Sequence, residues 1–392
     1  MNAIVVHYHE IGLKGRNRDF FERTLVTNLR RALRGTRYER VRRGFGRVAV
    51  DFDDGAPVVE AAQRAARVFG VAYVGAGRRV EPDLAAITSA ALEVMRPSTF
   101  GSFAVRARRT QARSEQRSSE INVAVGRHIK DATGAEVRLK NPQATLWIEI
   151  FGTSCVMYRN RLKGPGGLPA GVSGRMLSLI SGGIDSPVAA WLMARRGADV
   201  ELLHFHGQPY TDPSSIRQVT DLAEVLVRHQ LCTTLHLVPL GDAQREIVMT
   251  APSNLRVVLY RRTMLRIAAA LAAERGAQAI VNGDSLGQVA SQTIENIATI
   301  DSAVQGIQIL RPLIGMDKQE IIDLSQRIAT YDISTRSYQD CCVLFEPRSP
   351  ATRATVALAE QAEASLDIDG LVGKALAGIE TRSLELGLPP TS

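Results

Sequence analysis

Met176-Leu177-Ser178-Leu179-Ile180, Ser181-Gly182-Gly183-Ile184-Asp185-Ser186 and Pro187-Val188-Ala189-Ala190-Trp191-Leu192-Met193 follow one another without a gap. The first run is apolar and short, as a buried strand is, and the last is apolar with proline at the first helical position, where its missing N–H costs nothing. Between them, Gly182 and Gly183 let the backbone approach an anion closely. Ser181 and Ser186 add hydroxyls, and the helix start adds unpaired N–H groups at the positive end of its dipole. The stretch therefore reads as a strand, an anion-binding loop and a helix. Downstream the same rhythm repeats: 199–205 as a strand, 216–229 as a helix, 235–238 as a strand, 255–275 as a helix and 279–281 as a strand. This β-α-β-α order predicts an α/β domain over 175–392 whose parallel sheet is covered on both faces.

The loop is not a Walker loop, because GxxxxGK[ST] does not occur there. It matches the SGGxDS pattern of enzymes that split ATP into AMP and pyrophosphate while adenylating a carbonyl oxygen. Asp185 would repel the phosphates unless a cation intervened, so Mg2+ held by Asp185 is expected. The alternative for Asp185 is a plain helix cap.

Upstream the chain changes character. Ala3 to Val6 reads as a strand, Arg18 to Leu33 as an amphipathic helix with a basic outer face, and Arg47 to Phe52 as a strand, which gives a first unit over 1–57. A second unit over 58–162 alternates a helix near 83–95, a strand 103–108, a helix near 118–133 and a strand 144–151. Mixed elements of this kind predict small α+β layers. Residues 163–174, rich in glycine and proline, read as a linker. Residues 1–175 hold 30 Lys and Arg against 16 Asp and Glu, a net +14, whereas 176–392 hold 18 against 24, a net −6. A polyanion is drawn to the front half. At 392 residues, two or three domains are expected. The composition, 45% hydrophobic and 22% charged, is that of a globular protein. No apolar run is long enough to span a bilayer and Met1 to Glu10 lacks the order of a secretory signal, so a cytoplasmic protein is expected. The four cysteines, Cys155, Cys232, Cys341 and Cys342, are too few and too irregular for a disulfide scaffold.

With the loop placed, distant strings fit one family. Glu10-Ile11-Gly12-Leu13-Lys14-Gly15-Arg16-Asn17, Leu139-Lys140-Asn141-Pro142, Gly164 to Pro169, His204-Phe205-His206, Gly283 to Thr293 and Arg311 to Met316 together resemble the ThiI-type tRNA 4-thiouridine synthetases. The resemblance implies an N-terminal ferredoxin-like unit, a THUMP RNA-binding domain and a Rossmann-like PP-loop ATP pyrophosphatase domain. It further implies that Leu179, Ile180, His204 and Phe205 line the adenine pocket and that Arg261, Gly283 and Gln292 contact the nucleotide, beside Ser181, Gly182, Gly183, Asp185 and Ser186 of the loop. Its partners would be tRNA and, in a homodimer, a second copy.

Cys341-Cys342 resembles the family's cysteine segment. Adenylation makes O4 of uracil a leaving group, and a thiolate or persulfide displaces it where water would only regenerate uridine. Cys341 is assigned that role, with Cys342 as the second candidate. Some family members continue into a rhodanese domain that carries the persulfide. With about forty residues after Pro350, too few for a domain, a separate cysteine desulfurase or persulfide carrier is the expected donor. The implied activity is 4-thiouridine formation at position 8 of tRNA, with a second role in thiamine thiazole synthesis. Two rivals remain: an amide-forming ATP pyrophosphatase, which leaves the basic half and the cysteine pair unexplained, and a noncatalytic tRNA-binding protein with ATP as a switch.

Overall fold

The structure, a computed structural model, describes residues 2–44, 46–53, 55–96, 99–110, 117–337 and 349–387. The chain forms two compact units, Met1–Pro169 and Ala170–Ser392.

In the first unit, β1 (Ala3–His7), β2 (Tyr38–Gly44), β3 (Arg47–Phe52), β4 (Tyr73–Val80), β5 (Ser102–Thr110), β6 (Glu136–Val137), β7 (Ala144–Phe151) and β8 (Ser154–Lys163) form one eight-stranded sheet. Its order is β2-β3-β1-β4-β8-β7-β5-β6, so a single ladder system runs through 1–57 and 58–162 alike. The junction is the antiparallel pairing of β1 with β4, whose other edge pairs with β8. Here glycine is required, because a Cβ on Gly75 would lie 2.6 Å from the Tyr158 ring. The helices Arg18–Ala32, Leu84–Met95 and Ser118–Thr133 lie where the periodicity put them. The last two close over Phe103, Leu146 and Ile148, burying an apolar core.

The same sheet also carries a buried polar cluster. Glu149, 1% exposed, accepts hydrogen bonds from His7 Nε2 at 2.8 Å, from the Tyr158 hydroxyl and from the Arg47 guanidinium. Burial alone would raise the Glu149 carboxyl, but the hydrogen bond and charge of His7 and the charge of Arg47 outweigh it and hold the carboxyl below its usual range. Burial likewise lowers the His7 imidazole. Four strands, β1, β3, β7 and β8, thus meet on one carboxylate. Cys155 lies in the apolar core, where burial pushes its thiol up to about 12 and makes it inert.

The glycine and proline stretch expected as a linker is tied down over its first half. Gly164 N and Gly166 N donate to the carbonyls of Ala72 and Val71, and Gly70 N donates to Gly166 O. Glycine permits this because a Cβ on Gly164 would collide with the Val71 carbonyl.

In the second unit, β9 (Arg175–Leu179), β10 (Asp199–His206), β11 (Cys232–Pro239), β12 (Ala279–Val281), β13 (Gln308–Leu310) and β14 (Glu380–Glu385) form a sheet ordered β13-β12-β9-β10-β11-β14. All neighbours are parallel except β14, which closes the edge antiparallel to β11. The expected parallel sheet therefore gains an antiparallel edge strand. Its polar sequence, Glu380-Thr381-Arg382-Ser383-Leu384-Glu385, hid it from a hydrophobic reading. Among the described residues, no helix is long and apolar enough to cross a membrane.

Candidate active site

The chain runs from β9 to β10 and β11 on one side, then returns to β12 on the other. The order reverses beside β9, and a crevice opens beyond the carboxyl ends of strands at such a point. A cavity of about 350 Å³ lies there. It is lined by Leu179, Ile180, Ser181, Gly183, Asp185, Ser186, His204, Phe205, Arg261, Gly283 and Gln292, so these expected residues from four stretches of chain meet in one place. Gly182 lies in the same loop, and its carbonyl accepts from Gln218 Nε2 at 2.9 Å. Cys341 and Cys342 lie outside the described residues.

The loop is braced from within. Ser181 N donates to Ser186 Oγ at 2.8 Å and Gly183 N to Ser181 Oγ at 3.3 Å. The helix Asp185–Arg195 begins at the loop's end, so its first N–H groups face the cavity mouth. Gly283, after β12, packs against that helix start. A Cβ there would stand 3.0 Å from both Ser186 N and Ser186 Cα, a distance that only a hydrogen avoids crowding.

Asp185 does not cap the helix. Its carboxylate accepts from Lys318 Nζ at 2.6 Å and from Gln288 Nε2 at 2.8 Å. Lys318 stands at the start of the helix Lys318–Arg327, whose N-terminus is capped by Asp317. The cation expected beside this carboxylate thus includes one supplied by the chain itself. Lys318 lies two residues beyond the Arg311 to Met316 string, and no local pattern singles it out. Among the described residues, no group of three or more His, Cys, Asp or Glu could hold a metal. A single carboxylate does fit Mg2+, which takes most of its ligands from phosphate oxygens and water.

His204, 3% exposed, uses both ring nitrogens, one 2.9 Å from Ile180 O and the other 3.2 Å from Ser215 Oγ. It is both a cavity wall and a tie between the ends of β9 and β10. Arg261 is not a solvated charge. Its Nη2 bonds both oxygens of Asp284, at 2.6 and 2.7 Å, and its Nη1 donates to Ser291 O at 3.1 Å. Asp284 also accepts from Gln292 Nε2 at 3.2 Å and Arg311 Nε at 3.1 Å. Gln292 Oε1 is buried and has no hydrogen-bond partner among the described residues. An orphaned acceptor on a cavity wall is satisfied by a ligand N–H, such as an adenine amino group.

Residues 171–368 match the family model described as thiamine biosynthesis protein (ThiI), and 3–75 and 81–160 match those of the ThiI ferredoxin-like domain and the THUMP domain. The chain belongs to the ThiI family. Among its relatives are the probable tRNA sulfurtransferase of Moorella thermoacetica, 42% identical over 98% of each chain, and that of Thermus thermophilus, 43% identical over 95% of this chain and 91% of the relative. The solved structure of a 4-thiouridine synthetase–RNA complex with bound ATP superposes on this ThiI-family chain with a TM-score of 0.90. It is 33% identical and covers 98% of this chain and all of that one. PH1313 from Pyrococcus horikoshii superposes with a TM-score of 0.64 at 26% identity, covering 84% of this chain and all of that one.

Proposed function

We propose that this protein transfers sulfur to a uridine of tRNA, making 4-thiouridine at position 8 at the expense of ATP. The observation that carries the reading is the convergence of the SGGIDS loop, Arg261, Gly283 and the orphaned Gln292 oxygen on one cavity, in a chain whose relatives are named tRNA sulfurtransferases. The domains are an N-terminal ferredoxin-like unit over 1–57 and a THUMP domain over 58–162, which hold tRNA. A linker over 163–174 leads to the ATP pyrophosphatase domain over 175–392.

ATP binds with its adenine against Leu179, Ile180, His204 and Phe205, within reach of Gln292 Oε1. Its phosphates lie on the N–H groups and hydroxyls of Ser181, Gly182, Gly183 and Ser186. Asp185 and the phosphate oxygens would hold Mg2+, which supplies charge neutralisation for the departing pyrophosphate. Lys318, already on Asp185, adds fixed positive charge at the same end of the cavity. Uridine O4 attacks the α-phosphorus, and pyrophosphate leaves. The terminal sulfur of a persulfide on Cys341 then bonds C4 while the C4–O bond breaks and AMP departs. A second thiol attacks the Cys341 sulfur, releasing 4-thiouridine and leaving a disulfide for an external thiol to reduce.

The persulfide comes from a cysteine desulfurase or a persulfide carrier. Sulfur passing through the same cysteine also feeds thiamine thiazole synthesis. The protein works in the cytoplasm with its tRNA, and as a homodimer, which light scattering tests. The deciding experiment incubates the protein with unmodified tRNA, ATP, Mg2+ and sulfide and follows the near-ultraviolet absorbance of 4-thiouridine. Product that depends on ATP and disappears in Asp185→Ala supports the reading. Tight tRNA binding without AMP or 4-thiouridine would leave a noncatalytic RNA-binding protein instead.

A further inference from the structure

Asn296, 0% exposed in the helix Ile294–Asp301, uses every polar atom of its side chain. Its Nδ2 donates to Ala290 O at 2.8 Å and to Ala351 O at 2.7 Å, and its Oδ1 accepts from Ala354 N at 2.9 Å. Ala290 stands between Val289 and Ser291, both of which line the nucleotide cavity. Ala351 and Ala354 belong to the chain that follows the two cysteines in sequence. One amide therefore joins the cavity wall to that returning chain. Its neighbour Thr293 adds to the joint, donating to Thr352 O at 2.7 Å.

A matching joint stands before the cysteines. Ser334, at the end of the short helix Tyr331–Ser334, donates from Oγ to Gly183 O at 3.1 Å, and Gly183 is a loop residue on the cavity. Cys341 and Cys342 fall in sequence between these two joints. Asn296 is the more telling because a buried amide is costly unless all its donors and its acceptor are used, and here the partners come from the two segments that the reaction must bring together.

We propose that Asn296 and Ser334 are positioning residues that couple adenylation to sulfur transfer, by holding the chain on both sides of the cysteine pair to the wall of the nucleotide cavity. The inference rests on the sulfurtransferase reading above. Its chemical basis is competition. The adenylated uridine can be attacked at C4 by sulfur, giving 4-thiouridine and AMP, or by water, giving back uridine and AMP. Both routes consume one ATP, and only the first needs the sulfur placed within reach. Loosening either joint should leave adenylation running and divert the intermediate to water.

The test uses the full chain with unmodified tRNA, ATP, Mg2+, a cysteine desulfurase and cysteine, and measures AMP released per 4-thiouridine formed. Ser334→Ala and Asn296→Asp, which keeps the acceptor and removes both donors, are compared with the unaltered protein, and each is repeated with sulfide in place of the desulfurase. Coupling predicts a near one-to-one ratio in the unaltered protein and a rise of about tenfold or more in the variants with the desulfurase, within the roughly 10²-fold that an ångström of misplacement can cost. With free sulfide, which needs no cysteine, the variants and the unaltered protein should give the same ratio. Variants that lose melting temperature or rate but keep the parent ratio would reduce both residues to packing. Should Asn296→Asp fail to fold, Ser334→Ala decides alone. No 4-thiouridine from the unaltered protein with either sulfur source overturns the sulfurtransferase reading, and this inference with it.

Discussion

Lys318 and Gly283 show how single residues complete a loop that the sequence exposed only in part. The six residues from Ser181 to Ser186 were readable because strand, glycines and helix start adjoin in the chain. Lys318 was not, since its bond to Asp185 spans 133 positions and a lone lysine on a helix carries no local signal. Fixed positive charge at a departing pyrophosphate accelerates the chemical step more than it aids binding. Lys318→Ala should therefore lower kcat for tRNA-dependent AMP release by about 10²-fold to 10³-fold while changing the KM for ATP much less. A parallel rise in KM with no change in kcat would place the ammonium in ground-state binding. Gly283 acts through space that it leaves empty. Gly283→Ala places a methyl group 3.0 Å from the backbone of Ser186, displacing the helix start from the loop, and should weaken ATP binding measured by calorimetry. Unaltered ATP affinity in that variant would show that the helix start can yield without cost.

At the scale of elements, the helix Arg256–Arg275 serves two ends with neighbouring residues. Arg261 faces the cavity, while Arg262 and Arg266 bind both oxygens of Glu363 on the helix Val356–Glu363. Arg262 is 1% exposed, so breaking this pair strands a buried charge, and Glu363→Gln should cost about 3–5 kcal/mol of stability in denaturant titrations. Burial would raise the Glu363 carboxyl, but hydrogen bonds from Arg266 and Arg262 outweigh it and hold the pKa at about 2, against an ordinary 4.5. A carboxyl lowered on folding stabilises the fold above its unfolded value. That contribution is lost as the pH falls from about 4.5 through about 2, and Glu363→Gln should flatten the acid limb of the melting profile over this window. An unchanged limb would assign acid unfolding to other carboxylates. These elements also mark the limit of sequence reading. The helix Ser118–Thr133 and β7 stood out because their apolar periods are clean. Strands β2 and β4 were missed because arginines and glycines occupy their faces, and the helices after residue 290 because they are short. For the site, Arg261 was named only through a resemblance, and its hold on Asp284 comes from chain folding that no local pattern reports.

Over the whole molecule, charge divides the labour. The +14 of residues 1–175 against the −6 of the remainder means that tRNA affinity should fall steeply with salt, with a log–log slope of about −0.9 per phosphate neutralised in a duplex. Lys140, exposed in the Leu139-Lys140-Asn141-Pro142 string, should remove about one unit of that slope when changed to Ala, as filter binding across a salt series would register. An unchanged slope would move the contact away from this string. The first unit is charged inside as well as outside. Glu149 draws one partner from β1, one from β3 and one from β8. A recombination event that exchanged residues 1–57 for those of a distant relative would deliver a foreign strand to a carboxylate that tolerates few neighbours. The two N-terminal stretches, though recognisable as separate modules, should therefore descend as one heritable block, and chimeras cut between them should be recovered only when His7 and Arg47 travel with Glu149.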